Sequence, residues 1–263
     1  MTQSIAQQEE ELPNPIAALQ QEEELAKKLT NPIAALVSLP LQFNWDANIG
    51  AAEFDWSWGI NFQPVISFRL SDKINVISRT IIPIVSQHDI PDIGGDESGL
   101  GDILQSFFFS PANESADGWS WGIGPVLLLP TASNNSQGRE KWGLGPSAVA
   151  LKQTGPWTFG GLVNHISTVG GDDARTDVND TFIHPFMFYV TKTFTTFSVG
   201  SEITYDWENE VWSIPINFNV SQMLKIGSQI LQIGFGGRYW AETPDGGSQD
   251  LGGRLQLTFL FPK

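Results

Sequence analysis

Residues 55 to 70 carry an apolar side chain or Pro64 at every even position and a polar or small residue at nearly every odd one. A two-residue period of that kind is a β-strand with one oily face. The alternation is about three times as long as the usual strand of ~5–6 residues in a soluble sheet. Strands so long with a single apolar face are expected where the solvent on that side is lipid.

The same period recurs from Leu41 to the end of the chain. Twelve strands are expected, at 41–49, 55–70, 74–87, 100–110, 119–129, 142–153, 157–168, 180–191, 195–207, 212–224, 231–241 and 251–261. The faces opposite the apolar ones hold mainly Ser, Gly, Asn, Gln and Thr. The links alternate as a trend, short at Ser71 to Lys73, Thr154 to Pro156, Lys192 to Phe194 and Lys225 to Ile230, and long and polar between. The fourth link, Pro111 to Gly118, is longer than that rule predicts, and the first and ninth are shorter. An even strand count with short turns at one rim and long loops at the other describes an all-β transmembrane antiparallel up-and-down barrel. Six prolines (Pro64, Pro83, Pro125, Pro146, Pro185 and Pro215) stand against it, since proline removes a ladder hydrogen bond and a closed barrel has no edge to hide it. They require bulges or broken strands.

Residues 1 to 37 differ in composition and contain a duplication, Asn14 to Leu19 and Asn31 to Leu36. In each copy Asn can cap a helix and Pro suits its first turn, so two helices are expected, one through Leu29 and one ending near Pro40. The chain therefore divides into a helical extension, 1–37, and a barrel, 38–263. Residues 1 to 12 have neither the basic start nor the apolar core of a secretory leader, so an exported form is expected to be a mature or trimmed one.

Nine tryptophans (Trp56, Trp58, Trp119, Trp121, Trp142, Trp157, Trp207, Trp212 and Trp240) fall near strand ends, where amphipathic rings form the aromatic girdles of a membrane barrel. Trp flanking turns in any β protein is the plainer reading. A net charge of −15 with scattered basic residues excludes a nucleic-acid partner. The absence of cysteine excludes disulfides and thiolate metal sites. A soluble barrel with lipid inside would need many exposed Lys and Glu on its other face, and these are scarce.

Two stretches beginning Gly99-Leu-Gly-Asp and Trp121-Gly-Ile-Gly-Pro, with Lys141-Trp-Gly-Leu-Gly-Pro146, Tyr205-Asp-Trp-Glu208 and Gly236-Gly-Arg-Tyr239, resemble a bacterial barrel family. Asn31 to Pro40 and the last strand to Lys263 share the likeness, which covers roughly residues 31 to 263. That family is labelled "MetA-pathway of phenol degradation", and its members are often misnamed neuromedin U or transporters. The resemblance implies an outer-membrane barrel linked to small aromatic or apolar solutes by genomic association, and it carries no chemical signature. The terminal strand resembles an outer-membrane assembly signal, apart from Pro262-Lys263 after the last Phe.

The strand arginines are the sharpest candidates. Arg69, Arg79, Arg238 and Arg254 take inward positions, and folding the last hairpin near residue 246 sets Arg238 opposite Arg254. Glu202 and Asp206 lie inward on the ninth strand. A basic arc facing an acidic one would put a transverse field across a water-filled lumen and tune selectivity. The alternative is a closed ionic network in a narrow barrel, plugged by the N-terminal helices. Clustered carboxylates at Asp92 to Glu97 and at Asp172, Asp173, Asp177 and Asp180 could take a calcium ion, although solvated outer loops are commoner and neither has the EF-hand spacing. His165 and Ser167 share a strand face, but no oriented acid is identifiable, so no enzyme is expected. The expected protein is an outer-membrane channel in contact with the bilayer and with small solutes.

Overall fold

The computed structural model describes residues 15–49, 55–90, 95–113, 115 and 117–261. One helix, α1 (Pro15–Leu29), precedes fifteen strand segments: β1 (Val37–Ile49), β2 (Asp55–Phe62), β3 (Val65–Arg69), β4 (Ile74–Ile90), β5 (Gly95–Leu100), β6 (Ile103–Pro111), β7 (Trp119–Leu129) and β8 (Lys141–Thr154). They continue as β9 (Trp157–Gly171), β10 (Asn179–Val190), β11 (Thr195–Ser201), β12 (Ile203–Asp206), β13 (Val211–Ile226), β14 (Gln229–Glu242) and β15 (Asp250–Phe261). Three pairs are single staves of the wall interrupted by one or two residues: β2 with β3, β5 with β6, and β11 with β12. The wall is thus a closed antiparallel barrel of twelve staves, with β1 pairing β15 from Val37↔Phe261 to Asp46↔Gly252. No described helix is long and apolar enough to cross a membrane.

The prolines account for the interruptions. Pro64 breaks the second stave itself. Pro83 lies where β4 exchanges β5 for β6, and its carbonyl accepts the Gly101 N–H in the gap at 2.9 Å. Pro185 lies on β10 between the residues paired to β11 and those paired to β12, opposite the gap at Glu202. Pro215 sits at a register shift against β14. Pro125 and Pro146 face each other across β7 and β8, while the β6–β7 and β8–β9 ladders skip a step beside them. Each ring thus removes a donor only where the neighbouring ladder is already open.

The outer face matches the oily period. Phe43, Phe68, Ile123, Leu144, Phe218 and Phe235 are exposed there, and Phe235 is 67% accessible. A belt of that size in water would drive association, and in a bilayer it meets acyl chains. Exposed Trp56, Trp142, Trp207 and Trp212 ring the long-loop rim, and Trp119, Trp121 and Trp157 ring the short-turn rim.

The inner face keeps the small polar residues expected from the sequence, such as Ser106, Ser120, Ser147 and Asn164, and adds apolar clusters on one side. From β4 round to β10 those clusters are Ile77, Phe108, Val149, Leu151, Leu162 and Phe186 in one group and Val126, Ile166 and Val178 in another. From β13 to β2 the inner face carries Asn217, Arg238, Arg254, Asp46, Asn44 and Gln42.

The duplicated segment makes one helix, not two. Lys27 and Lys28 pair with Glu23 and Glu24 at 3.1 and 2.7 Å, and the bond from Lys28 holds the Glu24 carboxyl below its usual pKa. Helix α1 ends at Leu29, and the N–H and hydroxyl of the next residue, Thr30, both donate to the Lys27 carbonyl. The second copy is a turn leading into β1, with Asn31 Oδ1 accepting the Ile33 N–H at 3.0 Å. Asn can cap either a helix or such a turn. Here strand pairing from Val37 onward leaves no length for a helix. Asn14, the expected cap of the first copy, and the loop at 91–94 lie outside the described residues.

Candidate functional site: the lumen

Helix α1 and its turn sit inside the short-turn mouth of the barrel. Leu25, Ala26, Ala34 and Leu36 pack against the inward Val190, Met223, Ile230 and Leu260. Ile33 packs against the apolar cluster around Phe108 and Phe186. Thr30 bonds Thr158 at 2.7 Å, and Gln153 Nε2 donates to the Lys27 carbonyl at 3.0 Å.

Above this plug, two cross-strand rows set the charges. One runs Asp46 (β1), Gly252 (β15), Arg238 (β14), Asn217 (β13), and the next runs Asn44, Arg254, Gly236, Asn219. Arg238 reaches over Gly252, where any Cβ would strike the Asp46 carboxylate. Its Nη1 donates to Asp46 Oδ2 at 3.0 Å and its Nε to Asn217 Oδ1 at 3.0 Å. Arg254 donates from Nη2 to Glu202 Oε2 at 2.8 Å and from Nε to Asn44 Oδ1 at 2.8 Å. Glu202 projects from the gap between β11 and β12 and also accepts Arg238 Nη2 at 3.4 Å.

Several expectations change here. Arg238 is opposite Gly252 and Arg254 opposite Gly236, two residues from the predicted register, because the turn is centred on Asp245. Glu202 bonds the basic side directly, so the opposed arcs become a paired network. Arg69 has inward parity but lies at the short-turn rim, donating to the Ser71 and Asp72 carbonyls. Asp206 caps the rim turn by accepting the Glu208 and Asn209 N–H groups. Trp240 faces inward and donates to Asp46 Oδ1 at 2.9 Å, so it leaves the girdle; Trp45, absent from the expected belts, is exposed on the outer face. Asp46 was not singled out from the sequence, although its inward parity on a strand that closes against β15 marks it.

Arg79 differs from the other two lumen arginines. Among the described residues its one hydrogen bond is from Nη2 to Gln63 Oε1 at 3.0 Å, and it has no ion pair. It lines three successive cavities, of about 150 Å³ beside the plug, 200 Å³ beside Glu202 and 430 Å³ beneath the outer loop. That loop, residues 130–140, folds inward because Asp102, in the gap between β5 and β6, accepts the N–H groups of Thr131, Ala132 and Arg139.

On the outer face His165 Nε2 lies 3.2 Å from Ser167 Oγ and Nδ1 lies 2.9 Å from Thr181 Oγ1, which also accepts the Trp207 indole. The second nitrogen meets a hydroxyl instead of a carboxylate, so the chain ties β9 to β10 without the acid of a catalytic triad. In the acidic loop Asp177 pairs with Lys141 at 2.8 Å and Asp172 accepts the Ala174 N–H. No group of three metal-binding side chains occurs among the described residues.

A closed twelve-stave barrel with an apolar outer belt and a charged, partly filled lumen is a porin-like outer-membrane barrel fold. Among solved structures the chain is similar to an outer membrane channel from Pseudomonas putida F1, with a TM-score of 0.65, 13% identity, and coverage of 86% of this chain and 96% of that one. It is also similar to the NanC porin, with a TM-score of 0.53, 10% identity, and coverage of 86% and 100%. No family model matches the chain, and no curated protein matches it.

Proposed function

We propose that this protein is a bacterial outer-membrane channel passing small solutes through a lumen narrowed by its own N-terminal segment. The observation that carries this reading is the set of three cavities that share Arg79 as a lining residue, one beside the plug, one beside Glu202 and one beneath the outer loop. Water-sized spaces lined by Gln, Ser and Arg on one side and by apolar residues on the other admit ions and small organic molecules. The resemblance to the phenol-degradation barrels extends the solute class to small aromatic or apolar compounds. The two solved relatives, a channel and a porin, support the same class.

The competing reading is a non-conducting barrel closed by its plug, favoured by the burial of Leu25, Ile33 and Leu36 to 5% exposure or less. Planar-bilayer recordings on the full chain and on a form lacking residues 1–36 separate the two. The channel reading expects small currents from the full chain and larger ones from the trimmed form. Currents from the trimmed form alone support the plugged barrel, and silence from both overturns the pore.

A further inference from the structure

We infer that the outer cavity beneath the 130–140 loop is a binding subsite for small carboxylates with a ring-sized apolar body, whose carboxylate is taken by Arg79. The inference deepens the channel reading by naming a solute class, and it rests on that reading for its role in transport. The first ground is the state of Arg79. Guanidinium has five N–H donors, and one is used, on a neutral amide. The other arginines facing this space each have a carboxylate, Arg238 with Asp46, Arg254 with Glu202 and Arg139 with Asp180. Arg79 is therefore the lumen cation without a bonded anion among the described residues.

The second ground is the wall. The cavity, of about 430 Å³, is lined by Arg79 and by Arg139, which is paired to Asp180, and by the apolar Ile81, Leu104, Leu128, Ile166 and Phe182. Its two carboxylates are engaged elsewhere: Asp102 holds three loop amides, and Asp180 faces Arg139 at 3.9 Å. A planar carboxylate can accept two parallel N–H bonds from Arg79, which a hydroxyl cannot. A ring on the same molecule would cover the apolar side and displace water from it. Neither half of the cavity alone distinguishes an anion from a hydrocarbon; together they select a molecule carrying both.

The test uses the full chain in detergent micelles and, in parallel, in planar bilayers. Calorimetric titration with benzoate, benzyl alcohol and acetate separates head from body. Benzoate should saturate and bind at least about tenfold more tightly than either of the others, as expected when one charge-assisted pair is lost. Arg79→Gln should remove that advantage while leaving benzyl alcohol within about twofold, and Arg79→Lys should keep part of it. Leu128→Asn should weaken benzoate and leave acetate unchanged, with heat-modifiable gel migration confirming that each variant is folded. Benzoate binding no tighter than acetate, or unaffected by Arg79→Gln, overturns the subsite even if the protein conducts potassium chloride. Arg79-dependent benzoate binding by a barrel that carries no current upholds the subsite and rejects the pore.

Discussion

Glu202→Gln removes the carboxylate that Arg254 and Arg238 share. Gln keeps the shape and two polar atoms, so the main change is the loss of one negative charge beside two guanidinium groups that are each under 10% exposed. Arg238 retains Asp46 at 3.0 Å, whereas Arg254 is left with the neutral Asn44 oxygen at 2.8 Å. Deleting one partner of a buried pair typically costs ~3–5 kcal/mol. The Glu202 side chain is 27% exposed toward lumen water, which reduces the expected loss to about 2–3 kcal/mol. That corresponds to a roughly 30- to 150-fold rise in the unfolding constant. Reversible urea unfolding in phospholipid vesicles, followed by tryptophan fluorescence, measures it. The double variant Glu202→Gln with Arg254→Met leaves no uncompensated charge and should recover at least about 1 kcal/mol, because a missing pair is less costly than half of one. A single variant within about 0.5 kcal/mol of the parent, or a double variant that is simply additive, would refute the view that these charges are held as a network.

Three further outcomes follow from the packing. Ala26, on the face of α1 packed against the wall, is 2% exposed, and overpacking there by Ala26→Trp costs ~1–3 kcal/mol; trypsin should then cut after Lys27 or Lys28 faster while the wall stays protected, and unchanged cleavage would contradict the docking of α1. Asp102→Ala frees three loop amides, so the 130–140 loop should become cleavable after Arg139 with no loss of the folded wall. Gly145→Ala drives a Cβ into the backbone carbonyl of His165, whereas Gly170→Ala meets nothing within 4 Å; only the first should lose heat-modifiable gel migration, and equal behaviour would mean that β8 and β9 are not as close as described.

The wall was legible because its cause is local. A strand's side chains alternate by backbone geometry, so Phe197 to Asp206 displays its inward and outward residues without knowledge of any partner. The twelve staves and the inward parity of Arg79, Arg238 and Arg254 come from that rule. Parity does not give height or reach. Arg69 has the inward parity of Ser67 yet bonds the turn at the rim, and Asp206 folds back on Asn209 instead of facing Arg238. Register depends on the turn between strands, and placing the hairpin centre at 246 instead of 245 displaced the Arg238–Arg254 pairing by two residues. Trp240 looked like a girdle residue by sequence position, but the parity that points Arg238 inward also points Trp240 inward, and that inference was available from the strand itself.

The N-terminal copies show the complementary failure, where identical local sequence has two outcomes. Asn-Pro-Ile-Ala-Ala-Leu favours a helix start in isolation. The first copy opens into Glu22 to Lys28, whose i,i+4 pairs extend the helix. The second opens into Val37 to Phe43, which gains ladder bonds to β15 only by being extended. Propensity of a few tenths of a kcal/mol per residue yields to such pairing. The same strand then carries Asn44 and Asp46 to the two arginines, so the register of β1 on β15 sets the height of the acidic side chain in the lumen. A two-residue insertion between Leu36 and Val37 should be absorbed in the turn and leave the network intact. An insertion of one residue within Leu39 to Asn44 would turn Asp46 to the lipid side, leaving Arg238 without its carboxylate and placing a charge among acyl chains. The barrel should then fail to assemble, and recovery of a heat-modifiable species would show that β1 pairs β15 by some rule other than the alternation on which this fold rests.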